Sequence, residues 1–254
     1  MEAASMTLVR KINKNKLVAL VINPKMIDSS ELARMYHLFS QYYEGHPYEI
    51  FIRDLYEKDD VILLRDSQSK EIQGFSTILK VKIEKDNKTY YGIYSGDTVV
   101  ANEYWGSPAL GVMFLKYLWM QKIKNPFRPL YWFLISKGYK TYLLMANNFN
   151  VHYPRFEEHT NPHHQELMDS FYSGKFSEKY KGAENLIVPS GETCHLKTDI
   201  ADIHCNMLEL PRVKFFQDKN PKWQEGTELC CIAEMSITMP PKYMLKKMIK
   251  GLFK

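Results

Sequence analysis

Between Val61 and Ala101 the chain offers three strand-length runs joined by very short connections, and that spacing leaves little choice of topology. Val61 to Leu64 and Phe75 to Ile83 are rich in strand-favouring residues, with the polar turn Arg65 to Lys70 close between them. Asp86-Asn87 then separates the second run from Lys88 to Ala101. Parallel neighbours need a crossover of a dozen or more residues, so the three runs pair as an antiparallel meander.

The flanks have a different period. Leu17 to Ile22 reads as an opening strand that stops at Asn23-Pro24. Asp28 and Glu31 have capping-box spacing ahead of Leu32, Met35, Tyr36, Phe39 and Tyr43, an apolar stripe at helical spacing. A second short helix carries Ile50, Phe51 and Leu55. After the meander, Trp105-Gly106 stops the chain, with Ser107 suited to a helix N-cap and Pro108 to the first turn, where a missing N–H costs nothing. Leu130 to Ile135 has buried-strand length, a helix follows Gly138, and Leu229 to Ile237 returns as a strand. Periodicity is poor between 151 and 225. The expectation is one domain over 1–254 with an irregular insertion near 151–225 and a basic amphipathic helix at 242–254.

A 45% hydrophobic content excludes wholesale disorder, and no apolar run reaches the roughly 18 residues that cross a bilayer. The opening MEAASMTLVRKINKNK lacks the apolar core of a secretory signal, and four cysteines do not suggest a disulfide framework, so a cytoplasmic protein is expected. The modest net charge of +5 decides little by itself, but basic residues are not interleaved with aromatics in a nucleic-acid pattern, so no nucleic-acid partner is expected. His159, His163, His164, Cys194-His195 and His204-Cys205 lack zinc-knuckle spacing, so no metal is expected. Walker, dinucleotide-binding and nucleophile-elbow motifs do not occur.

The segments GIYSGDTVVANEYWGSPAL from Gly92 and LYWFLISKG from Leu130, set in this element order, resemble the GNAT superfamily over roughly Leu17 to Arg155. More narrowly they are similar to bacterial GNAT-like proteins, some associated with fatty-acylation of ribosomal peptides. The resemblance implies a mixed α/β (α+β) GNAT-like fold with a mostly antiparallel, strongly twisted central sheet flanked by helices. It implies an N-acyltransferase that moves an acyl group from an acyl-CoA or acyl-phosphopantetheine thioester to an amine of a peptide or small molecule. Val99, Val100 and Ala101 match the strand that pairs with the pantetheine arm. Gly106, Ser107, Ala109 and Leu110 match the loop and helix N-terminus that bind pyrophosphate, where free N–H groups and the helix dipole favour an anion.

Two positions depart from that family's loop. Glu103 stands where Arg or Gln is usual, and Pro108 where Gly or Ala is usual, which removes a donor and adds negative charge. A carrier-protein thioester, lacking the nucleotide, is therefore a rival donor, and a noncatalytic binding module that lost the donor loop is a rival function. An attacking amine must lose a proton and a departing thiolate gains from one. Asp97 is the expected base, Tyr142 the residue beside the sulfur, Ser136 an orienting hydroxyl and Glu44 the group that holds a cationic amine. In 242–254, Met244, Leu245, Met248, Ile249, Leu252 and Phe253 recur at helical spacing with lysines opposite, a pattern suited to an anionic membrane or an acyl carrier protein.

Overall fold

The computed structural model describes residues 17–190, 195–197 and 203–236, so the expected helix at 242–254 and Ile237 of the late strand lie outside the described residues. In chain order the elements are β1 (Leu17–Ile22), α1 (Ser29–Tyr42), β2 (Tyr43–Glu44), α2 (Tyr48–Tyr56), β3 (Asp60–Asp66), β4 (Ile72–Lys85) and β5 (Lys88–Val100). Then come α3 (Ala109–Lys124), β6 (Leu130–Ser136), α4 (Tyr139–Ala146), β7 (His152–Tyr153), α5 (Pro162–Phe176), β8 (Tyr180–Lys181), β9 (Leu186–Ile187), β10 (His195–Leu196), α6 (Pro211–Lys219) and β11 (Glu228–Glu234).

The meander forms as its turns require. β3, β4 and β5 pair antiparallel, and β1 adds to the outer side of β3. Asp86 and Asn87 take φ values of 49° and 59°, the left-handed turn conformation that Asp and Asn tolerate better than other L residues. The capping signal before α1 is also met, since the Asp28 carboxylate accepts from Glu31 N–H at 2.9 Å.

The larger sheet runs β1-β3-β4-β5-β6-β11-β9-β8, with β7 on β11. Every pairing in it is antiparallel except β5 with β6. One face carries α3, α4 and α6 over Ile62, Leu118, Trp132 and Tyr142. On the other face α1 and α2 pack over Val61 and Phe75, and α5 packs over Phe133 and Ile232. This is a mixed α/β arrangement, a mostly antiparallel sheet flanked by helices on both faces.

The region from 151 to 225, expected to be irregular, contains two helices. Helix α5 was hidden because it is polar overall, and its buried residues His164, Leu167, Met168 and Tyr172 make a narrow stripe. Tyr172 anchors that stripe. Its hydroxyl accepts from Leu134 N–H at 3.0 Å and lies 2.7 Å from the Cys231 carbonyl, where β6 meets β11. Tyr172→Phe strands the Leu134 donor inside the protein. It is expected to cost about 1–3 kcal/mol, read from chemical denaturation.

His164 sits among Tyr131, Tyr153 and His163, and neither ring nitrogen has a hydrogen-bond partner. Burial pushes its pKa from 6.5 down to about 4, with His163 adding to the effect. The Glu234 carboxylate, 3.9 Å away, is too distant to hold a proton on the ring. The unfolded chain therefore binds a proton here below about pH 6.5 that the folded chain refuses, and stability falls as pH drops through that value. His164→Phe should flatten the decline in unfolding midpoint between about pH 6.5 and 5, followed by denaturation across that range.

Candidate functional site

β5 and β6 stay in register only from Tyr91/Leu130 to Ser95/Leu134, and beyond that pair both strands continue without bonding to each other. The last rung is held by a buried hydrogen bond, the Trp132 indole N–H donating to Ser95 Oγ at 2.8 Å. The parting starts at a bulge. On the β4 side of β5, Ser76 faces Thr98 and Ile78 faces Ser95, so Gly96 and Asp97 share the single partner Thr77. A side chain at Gly96 would put its Cβ 2.6 Å from Thr77 Oγ1, which explains glycine there.

A cavity of about 660 Å³ opens where the strands part, within the usual small-molecule range of roughly 300–1,000 Å³. Gly96, Asp97, Thr98, Val99 and Val100 line one wall and Ile135, Lys137 and Gly138 the other. Phe114, Leu115, Trp132, Leu134 and Phe149 add an apolar, largely aromatic surface.

Main-chain groups on β5 alternate in direction. Ala101 N–H donates to Gln73 on β4 at 2.8 Å, which turns the groups of Val100 and Thr98 towards the opening. The Val100 carbonyl already accepts from the Trp105 indole at 2.7 Å. Of the expected strand contacts, Val99 and Val100 line the cavity and Ala101 does not. The main-chain groups of Val99, like those of Ala101, are turned to β4, and only Val100 of the three turns its own towards the opening.

At the mouth, Gly106 adopts φ 81°, a left-handed value that suits glycine. Helix α3 begins at Ala109, one residue later than expected, after Pro108. Pro108 therefore takes the N-cap position expected for Ser107, which stands one residue outside the helix with its Oγ accepting from Ala109 N–H at 3.3 Å. Ser107 N–H is used by the Tyr104 carbonyl, which leaves the Leu110 and Gly111 N–H groups, in the first turn, as the donors facing the cavity. Gly106, Ser107 and Leu110 line the opening as expected, and Ala109 does not. Glu103 is exposed and is not a lining residue, although its charge reaches Tyr42 and Tyr104, which are. Lys140 lines the cavity, its ammonium 5.0 Å from the Trp105 ring centre.

Asp97 lines the cavity at the bulge. Burial lowers the pKa of both His46 and Lys58, and the Asp97 carboxylate is the largest charge opposing that shift in each. The other three expected side chains lie elsewhere. Tyr142 is fully buried and its hydroxyl donates to the Pro154 carbonyl at 3.2 Å; it points into the core on the far side of α4 from the cavity lining. Ser136 is likewise buried, with its Oγ donating to the Gly138 carbonyl at 2.8 Å. Glu44 sits on β2 with one oxygen 2.9 Å from His195 Nε2, outside the lining.

Sequence reasoning missed the Lys137–Glu228 pair. These side chains meet at 2.8 Å inside the cavity, 17% and 12% exposed, and Glu228 Oε2 has no hydrogen-bond partner. Glu228 opens β11, and only the pairing of that strand with β6 brings it to Lys137, so no local signal marks it.

No family model and no curated protein matches the sequence. Solved structures similar to it include Saccharomyces cerevisiae N-myristoyltransferase with bound myristoyl-CoA, at 11% identity over 48% of this chain and 31% of that one, with a TM-score of 0.38. A conserved protein of Enterococcus faecalis V583, described as a probable N-acyltransferase, is 13% identical over 54% of this chain and 33% of that one, with a TM-score of 0.39. Escherichia coli ElaA is 14% identical over 55% of this chain and 93% of that one, with a TM-score of 0.35. This chain thus spans about a third of the length of the yeast and enterococcal proteins.

Proposed function

We propose that this protein is an N-acyltransferase that binds an acyl thioester in the cleft between β5 and β6 and transfers the acyl group directly to an amine. The observation that carries the reading is the cleft itself. It joins unpaired strand backbone, the open N-terminus of α3, an apolar aromatic end and one carboxylate at the bulge.

In this reading the pantetheine arm of an acyl-CoA, or of an acyl-phosphopantetheine on a carrier protein, lies along Thr98 to Val100 like an added strand. The Leu110 and Gly111 N–H groups and Lys140 hold phosphate, with Gly106 allowing close approach. The acyl chain lies against Phe114, Trp132 and Phe149. The incoming amine arrives as an ammonium ion and is drawn by the Glu228 carboxylate, whose buried second oxygen has no hydrogen-bond partner. Asp97 takes its proton directly or through one water, and the neutral nitrogen attacks the thioester carbonyl. The C–S bond breaks as the nitrogen sheds a second proton and the departing thiolate is protonated to the free thiol. The acceptor is a peptide or small-molecule amine.

The test is turnover with acyl-CoAs of graded length and a panel of amines, following thiol release and acylated product. Asp97→Asn keeps side-chain size and removes the base. Its turnover should fall roughly 10²–10⁴-fold under conditions where the variant is still folded, a larger effect than the loss of its charge beside His46 and Lys58 accounts for. Tyr142→Phe should keep the turnover number and lower stability by about 1 kcal/mol, since its hydroxyl serves the Pro154 carbonyl. Unchanged turnover in Asp97→Asn would remove it from the chemistry. Absence of any acyl transfer together with tight thioester binding would favour a noncatalytic binding module.

The donor is tested separately. With Ser107 and Ala109 N–H groups used internally and Pro108 having none, few donors are left for a pyrophosphate. Acyl-pantetheine should support turnover comparable to acyl-CoA at saturation, and calorimetry should find weak binding of free CoA. Tight CoA binding that depends on its phosphates and is lost in Lys140→Ala would assign the nucleotide-bearing donor.

A further inference from the structure

Helix α3 is apolar on both sides. Its inner side packs Phe114, Leu115 and Leu118 into the core, yet Val112, Trp119, Met120 and Ile123 stay 39–48% exposed on the outer side. Those positions follow one another at helical spacing and make a single stripe. The stripe continues past the helix into the Asn125–Pro129 turn, where Phe127 is 99% exposed. An apolar stripe of this length, ending in a fully projecting aromatic ring, is not what the surface of a freely dissolved domain needs.

The charged residues on α3 itself and in the turn after it have one sign. No Asp or Glu occurs between Glu103 and Glu157, a stretch that contains the whole of α3, β6 and α4. Lys116 lies within the stripe, and Lys124 and Arg128 flank Phe127. The nearby carboxylate of Asp60 is occupied by the Tyr117 hydroxyl at 2.6 Å and Lys80 at 3.0 Å. A second copy of this face would set lysine against lysine. A surface combining anionic groups with accessible hydrocarbon satisfies both features, and a protruding Phe between cations suits a deformable interface more than a fixed pocket. No helix of the described residues is long and apolar enough to cross a membrane, so the contact is peripheral.

We infer that the outer face of α3, with Phe127 at its tip, docks on an anionic lipid bilayer. Val112, Met120, Ile123 and Phe127 enter the acyl boundary, Trp119 sits at headgroup level, and Lys116, Lys124 and Arg128 meet the phosphates. The inference stands independently of the transfer reaction.

Co-sedimentation of the full chain with vesicles of equal phosphatidylglycerol and phosphatidylcholine tests it, with phosphatidylcholine vesicles as control. The protein should pellet with the anionic vesicles alone, and less so at high salt. Ile123→Ser with Phe127→Ser should lower partitioning more than about tenfold, because two side chains lose their apolar burial. Lys116→Gln, Lys124→Gln and Arg128→Gln should each lower it about fivefold. Lipids brominated on their acyl chains should quench tryptophan emission, and Trp119→Phe should abolish most of that quenching. Failure to pellet with anionic vesicles overturns the inference. So does wild-type partitioning by the Ile123/Phe127 double variant, which would make the basic stretch after Pro241 the anchor. Phe127 is 99% exposed, so its variant should keep the wild-type unfolding midpoint. Ile123 and Trp119 are more than half covered and Arg128 stands 5.8 Å from the Tyr91 ring centre, so those variants are compared well below their own midpoints.

Discussion

The candidate site depends on two adjacent parallel strands ceasing to bond after Ser95 and Leu134. A sheet ordinarily consumes every main-chain donor and acceptor between its strands, and so offers nothing to a ligand. Here two residues of β5 face one of β4, the strand bends, and the next pairing is lost. The groups released are the ones an extended amide chain can use. Everything else in the cleft is arranged around that opening. The Trp132–Ser95 bond closes its apex, Trp105 ties off one surplus carbonyl, and the start of α3 stands at the mouth.

The fold was legible because its decisive signals are local. Short turns dictate the meander, Asp28 and Glu31 announce α1, and Leu130 to Ser136 is too short and too apolar for anything but a buried strand. Helix α5 was not legible, since a polar helix pinned by one buried tyrosine has almost no amphipathic signature. The site divides the same way. Asp97, Val99, Val100, Gly106, Ser107 and Leu110 follow the chain through the bulge and loop, and they line the cavity. Tyr142 and Ser136 sit on the expected elements but face inward, because one residue of rotation on a helix or one step on a strand reverses a side chain. Glu44 is held by His195, and the Glu228–Lys137 pair depends on a strand pairing that no spacing in the sequence reveals.

The electrostatics of the cleft are uneven by construction. Carboxylates reach it from β5 and β11, while the charged side chains on the loop and helix side are the lysines Lys137 and Lys140. The same segregation runs over the outer surface of α3, where the absence of acidic residues accompanies the exposed apolar stripe.

The position of β11 has a consequence for how the molecule is made. β6 is bounded by β5, which precedes it, and by β11, which is synthesised almost a hundred residues later. Until Glu228 to Glu234 has emerged, the strand Leu-Tyr-Trp-Phe-Leu-Ile-Ser has one open edge and part of its hydrophobic face uncovered. Such an edge is a template for pairing with another nascent chain. The wall of the cleft is thus also open to misassembly during synthesis, and the arrival of β11 both protects it and delivers Glu228 to Lys137.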